Sequence, residues 1–147
     1  MTTVVGIDPG MKGAISVFHE DGPITVHDLP VVNKMVDAKL LHLLISKIGP
    51  DYVALENVHS LPRDGHVGAF KVGTVFGVCL GVAAQYPIEL VTPQTWKKHH
   101  GLLRKDKEAS RQLALRKWPA LAEDLKFKKN ADRAEALLIA DWFLARN

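Results

Sequence analysis

Hydrophobic residues fall in short blocks whose period changes along the chain. Thr3–Asp8 alternates only weakly and is rich in Val and Ile, as a strand buried on both faces would be, and Pro9-Gly10 turns the chain after it. Residues 13–19 and 24–29 read as two further strands. Asp21-Gly22 between them tolerates the positive φ of a hairpin turn. Over 37–48 the period lengthens: Leu41, Leu44, Ile45 and Ile48 share one helical face, and Gly49-Pro50 stops the helix. Tyr52–Glu56 is a short apolar strand ending in an acid. Residues 58–67, with Pro62 and Asp64-Gly65, read as a loop, and 68–85 as a helix carrying Gly68, Gly73, Gly77 and Gly81. Glycine weakens a helix, so this density points to close approach of another helix. Ile88–Val91 is a strand, Thr92-Pro93 a helix start, and helices follow at 106–117 and 131–145. The order β-β-β-α-β-α-β-α-α describes an α/β fold, a mixed five-stranded sheet flanked by helices. With no repeat or linker, 1–147 reads as one domain.

Composition narrows the choices. A chain of 147 residues, 47% hydrophobic and 24% charged, suits one core. The single Cys79 excludes a disulfide scaffold and a cysteine-rich zinc site, and inside an apolar helix it reads as an inert core residue. No apolar run reaches about 18 residues, and the stretch at 72–84 is short and glycine-rich, so no membrane span is expected. The N-terminus lacks a basic segment and carries an acid at position 8. No secretory leader is therefore expected, and a reducing cytoplasm is the expected compartment. The formal net charge of +3 conceals an asymmetry. Residues 1–95 hold 6 Lys/Arg and 9 Asp/Glu, whereas 96–147 hold 13 and 7. A basic third beside an acidic remainder suits a polyanion held near carboxylates, and equally suits a solvated basic helix face.

The acids that carry chemistry close strands or share a helix face. Asp8 ends the first strand and Glu56 the fourth. Asp132 and Glu135 lie three apart near the start of the last helix, on one side of it. Singly, each has an ordinary role: an Asx turn at Asp8, a strand-end acid at Glu56, helix-dipole acids at Asp132 and Glu135. Gathered in one pocket, four carboxylates need a counter-charge. Oxygen-only ligands favour Mg²⁺ or Mn²⁺ over zinc, and two such ions about 4 Å apart activate a water and stabilise the leaving oxygen of a phosphodiester. Lys97, Lys98, Arg104, Lys105 and Lys107, with His99 and His100, form one candidate DNA-backbone patch, placed in a loop before a helix. Lys126, Lys128, Lys129 and Arg133 form a second, and Lys12 follows Asp8. The adjacent His99 and His100 are expected to point apart. Trp96, Trp118 and Trp142 read as core or interface.

Three segments carry a resemblance: Gly6-Ile7-Asp8-Pro9-Gly10 with Gly13-Ala14, Ala54-Leu55-Glu56-Asn57-Val58, and Asn130-Ala131-Asp132-Arg133-Ala134-Glu135-Ala136. In order and placement they resemble the motif blocks of the RuvC family of Holliday junction resolvases, which have the RNase H-like fold. Thr92-Pro93-Gln94-Thr95-Trp96-Lys97-Lys98 resembles a segment of short, phage-type members. The resemblance implies a Mg²⁺-dependent homodimeric endonuclease of a bacterial cell or phage-infected host, cutting four-way DNA junctions to 5′-phosphate and 3′-hydroxyl ends. It implies that Asp8, Glu56, Asp132 and Glu135 hold two metal ions, with Asp8 bridging. The glycine-rich helix would lie at the subunit interface. The chain departs from the pattern in two places. Glu135 stands where the best-known members have Asp, which leaves room for a shift toward Mn²⁺. His59, Ser60 and Leu61 stand where an aromatic wedge is usual, with His59 to stack on a base or Leu61 to wedge as the two alternatives. A broader nuclease of branched or forked DNA, and a non-catalytic junction binder, are the alternatives. An actin-like ATPase is disfavoured by length.

Overall fold

The computed structural model describes residues 2–146. The ends of the single domain expected from the sequence, residues 1 and 147, lie outside the described residues. The chain runs through β1 (Thr3–Asp8), β2 (Ala14–His19), β3 (Thr25–Asp28), β4 (Val31–Val32), β5 (Met35–Val36), α1 (Ala38–Ile48), β6 (Tyr52–Glu56), α2 (Gly65–Ala83), β7 (Ile88–Val91), α3 (Pro93–His99), α4 (Lys107–Lys117) and α5 (Ala131–Arg146). Five strands form a mixed sheet in the order β3-β2-β1-β6-β7. β1–β2 and β2–β3 are antiparallel, whereas β1–β6 and β6–β7 are parallel.

Strand alternation divides the core in two. Val5, Ile7, Val53 and Leu55 face α1 and α2, packing with Leu41, Ile45, Val75 and Cys79. Val4 and Ala54 face the other side, packing with Trp96 of α3, Ala114 of α4 and Ala134, Leu137 and Leu138 of α5. Gly6 pairs with Ala54 in the parallel register. Asp8 and Glu56, each two residues further on, thus end neighbouring strands on the α5 side of the sheet.

Two contacts bring α5 down onto that end. Ser16 Oγ donates to the Ala136 carbonyl at 2.7 Å. Gly6 has no side chain, and a Cβ there would meet Ala136 O at 2.4 Å and the Ala140 Cβ at 2.8 Å. The helix therefore crosses β1 at a distance no larger residue permits. Gly13 plays the same part in the turn after β1, where a Cβ would come within 2.0 Å of the Asp8 carbonyl oxygen.

The structure corrects several sequence expectations. Residues 65–67 are helical, because Gly65 at φ +68° redirects the chain from a short 3₁₀ turn at Pro62–Asp64 straight into α2. The segment Pro62–Ala83 is consequently 22 residues long, long and apolar enough by composition to cross a membrane, so run length does not exclude a span as it did from the sequence. This helix packs Val75, Cys79, Val82 and Ala83 against the protein. Among the described residues three of its glycines make no close helix approach: a Cβ at Gly73, Gly77 or Gly81 would meet nothing within 4 Å. Lys97 and Lys98 sit on α3, which Thr92 caps by accepting the Thr95 amide, and not on a loop. His99 and His100 do not diverge; their rings pack edge-to-face with centroids 4.7 Å apart. The β4–β5 ribbon, two residues per strand, was too short to register as a period.

Candidate metal centre

Asp8, Asp132 and Glu135 come together: one carboxylate oxygen from each lies within 4.8 Å of the others. Asp8 is buried at the end of β1, and its Oδ2 has no hydrogen-bond partner among the described residues. Asp132 and Glu135 reach the same point from the first turns of α5. That helix follows a 3₁₀ turn in which Asn130 accepts the Phe127 amide, so the entry angle of α5 is fixed locally. Ser110 of α4 donates to Glu135 Oε2 at 3.3 Å.

Glu56 is not part of that trio, though it is close enough to raise the Asp8 carboxyl. The Trp96 indole Nε1–H donates to Glu56 Oε2 at 2.7 Å, with both side chains buried. One Glu56 oxygen is thus committed to α3, leaving Oε1 for the site. Sequence reasoning placed Trp96 in the core without finding this bond. The parallel pairing of β6 with β7, which sets Glu56 against Val91 one residue before the α3 cap, is what creates it.

Burial is the leading cause at Asp8, Glu56 and Glu135, and repulsion from the other acids comes second at Asp8 alone. The Asp8 carboxyl is held well above its ordinary range by desolvation and by the charges of Glu56, Glu135 and Asp132. Burial also pushes Glu135 up. Glu56 rises to about 7, desolvation outweighing the opposing hydrogen bond from Trp96. The donor set is all oxygen, the site is over-supplied with negative charge, and one buried oxygen lacks a partner. These residues fit a hard divalent cation, with Asp8, Asp132 and Glu135 as its ligands and Glu56 Oε1 beside them.

The Trp96 bond makes a prediction. Trp96→Phe removes the donor and leaves Glu56 Oε2 unsatisfied in a buried place. We expect a loss of about 2 kcal/mol in urea unfolding and a further rise of the Glu56 carboxyl, read as an alkaline shift in the pH dependence of stability. An unchanged profile would mean that Trp96 merely fills space.

The basic residues singled out from the sequence separate into groups. Lys12, Lys129 and Arg133 line one cavity of about 410 Å³ beside the turn after β1. There Arg133 donates through Nε and Nη2 to both oxygens of Asp28, and through Nη1 to the Asp124 carbonyl. Lys97, Lys98 and Arg104 border a second depression of about 470 Å³, and Lys105 a third, of about 300 Å³. Lys128 is exposed on the turn before α5, and His59 on the loop after β6. Lys107 joins none of these groups; its ammonium pairs with Asp132 and Glu135. A cavity of about 620 Å³ between Phe18, Tyr52 and Phe143 opens near the start of β1 and holds none of the four acids.

No family model matches the chain. Over 89 residues, 57% of this chain, it is 36% identical to the chloroplastic Holliday junction resolvase MOC1 of Chlamydomonas reinhardtii. The chain spans about a tenth of the length of that relative, since the match covers 10% of it. Among solved structures it is similar to the RuvC of Thermus thermophilus (TM-score 0.59, 20% identity, 99% of this chain and 96% of that one). It is similar also to T. thermophilus RuvC in complex with Holliday junction substrate (TM-score 0.57, 23% identity, 99% and 96%). The fold is therefore that of RuvC, the RNase H-like fold expected from the sequence.

Proposed function

We propose that this chain is a metal-dependent endonuclease that resolves four-way DNA junctions by paired hydrolysis of phosphodiesters, leaving 5′-phosphate and 3′-hydroxyl ends. The observation that carries the reading is the convergence of Asp8, Asp132 and Glu135 oxygens within 4.8 Å on a RuvC fold. The sequence similarity to a protein named as a Holliday junction resolvase supports it. Mg²⁺ is the cation of choice for an all-carboxylate set, with Mn²⁺ able to replace it. Bound there, divalent ions would activate water and neutralise charge on the phosphate.

The chain's own residues then divide the work. Asp8, Asp132 and Glu135 supply the ligand oxygens. Trp96 fixes the direction of Glu56. The basic groups at Lys97, Lys98 and Arg104, and at Lys12 and Lys129, lie on separate surfaces and suit separate arms of a branched duplex. Cutting both strands of a junction calls for two sites, hence a homodimer. The exposed face of α2 supports that pairing: Val67 and Phe70 are 71% and 73% exposed, and Gly73, Gly77 and Gly81 leave open space beside them.

Incubation with a labelled four-way junction, a fork and linear duplex, in Mg²⁺, Mn²⁺ or EDTA, tests the reading. Paired nicks on the junction, dependent on metal, are expected, together with a dimer in sedimentation. Equal cutting of forks would make it a broader branched-DNA nuclease. Tight binding without product in either metal would make it a junction binder.

A further inference from the structure

A cation of the protein's own already reaches the acids. Lys107 is the first residue of α4, directly after Asp106, whose side chain caps the helix by accepting the Ala109 amide. That cap fixes where the lysine starts. Its ammonium pairs with Asp132 Oδ1 and lies 3.6 Å from Glu135 Oε1. These belong to two of the three converging carboxylates. The Lys107 side chain is 62% exposed, so the ammonium can swing to solvent, or to a group arriving from solvent, without unpacking the core. Lys97 offers a contrast. Its field reaches Glu56 and Glu135, but its ammonium lies 5.5 Å over the Trp96 ring.

A divalent ion binds carboxylate oxygens at about 2.1 Å if it is Mg²⁺. An ammonium on the same oxygens and an ion at that distance exclude one another, by contact and by charge. We infer that Lys107 is an internal competitor for Asp132 and Glu135 that couples metal loading to nucleic-acid binding. A backbone phosphate draws the ammonium off, and the two carboxylates pass to the divalent ion. This rests on the nuclease reading above. Linkage makes the effect reciprocal: DNA tightens metal binding by the factor by which metal tightens DNA binding. The lysine is largely exposed although the two carboxylates are not, so solvent screens its end of the pair and the coupling is modest, about fivefold.

Mn²⁺ binding, read from the resonance of the free ion, tests this without relying on turnover. It is measured for wild type, Lys107→Met, Lys107→Gln, Lys107→Arg and Lys97→Met, alone and with a nicked duplex that is a product of the reaction, after subtracting Mn²⁺ held by DNA alone. The two neutral variants are expected to bind Mn²⁺ about fivefold tighter than wild type without DNA, and to gain less from DNA than wild type does. Lys107→Arg should behave as wild type, and Lys97→Met should shift by less than about twofold. Wild-type affinity and a wild-type DNA gain in both neutral variants would overturn the exchange and leave the metal-dependent reading standing. A shift in Lys97→Met equal to theirs would reduce Lys107 to a general field effect and overturn it too. Absence of Mn²⁺ binding in every protein would overturn both readings.

Discussion

Asp8→Asn is expected to reduce junction cleavage by about a thousandfold or more, while junction binding stays intact or tightens. The substitution is nearly isosteric, so Gly6, Gly13 and α5 keep their places. It removes the charge of the buried carboxylate whose Oδ2 has no partner among the described residues. Burial, Glu56, Glu135 and Asp132 all push the Asp8 carboxyl up, against a smaller opposing effect of Lys107. An amide there binds a hard cation poorly and relieves that repulsion. The variant should therefore melt higher than wild type at neutral pH in EDTA and lose most of its stabilisation by added metal. Loss of activity through misfolding would lower the melting temperature instead. Normal turnover by Asp8→Asn would remove the metal assignment. Cleavage rate, junction affinity and melting temperature together separate these outcomes.

In EDTA the protein is expected to lose stability as pH rises from about 5 to 8, and divalent metal is expected to restore it. Glu56 is raised from 4.5 to about 7. An acid whose carboxyl is raised on folding binds its proton more tightly in the native state. Its contribution is thus fully present below the unfolded value of about 4.5 and lost as pH climbs to about 7. For Glu56 alone that amounts to roughly 3 kcal/mol, and Asp8 and Glu135 act in the same direction. His100 opposes them: burial lowers its imidazole, so folding favours the neutral ring and this contribution weakens as pH falls below about 6.5. Comparison with Glu56→Gln isolates the acid, since His100 is common to both proteins. Melting curves from pH 5 to 8 should fall for wild type, by about 10 °C from Glu56 alone, and fall less for Glu56→Gln. At pH 8, Mg²⁺ or Mn²⁺ should raise the wild-type curve. Equal pH dependence in both proteins, with no response to metal, would contradict the electrostatic account.

These effects depend on a juxtaposition that the sequence made partly legible. Strand alternation and the two strand-end acids were visible because β1 and β6 are apolar runs that stop at Asp8 and Glu56. The spacing of Asp132 and Glu135 announced one helical face. What joined the strand acids to the helical pair was a long-range fit: the bare backbone of Gly6 under Ala136, and Ser16 anchoring the same carbonyl. A glycine within a strand gives no hint of its partner 130 residues away. Trp96 was legible as a core residue but not as the donor to Glu56, because that bond follows from the pairing of β6 with β7. Lys107 was grouped with the basic residues near it in the chain. The Asp106 cap starts a new helix there and turns Lys107 toward the acids, while Lys97 and Lys98 stay on α3. The open glycine face of α2 shows the reverse case. Its composition was legible, but among the described residues a Cβ at Gly73, Gly77 or Gly81 would meet nothing within 4 Å.

Anomalous diffraction from crystals soaked in Mn²⁺ tests the central claim most directly. The account expects a peak bonded to oxygens of Asp8, Asp132 and Glu135, absent from Asp8→Asn crystals. A map with no peak there, or with manganese only on unrelated surface carboxylates, would contradict it.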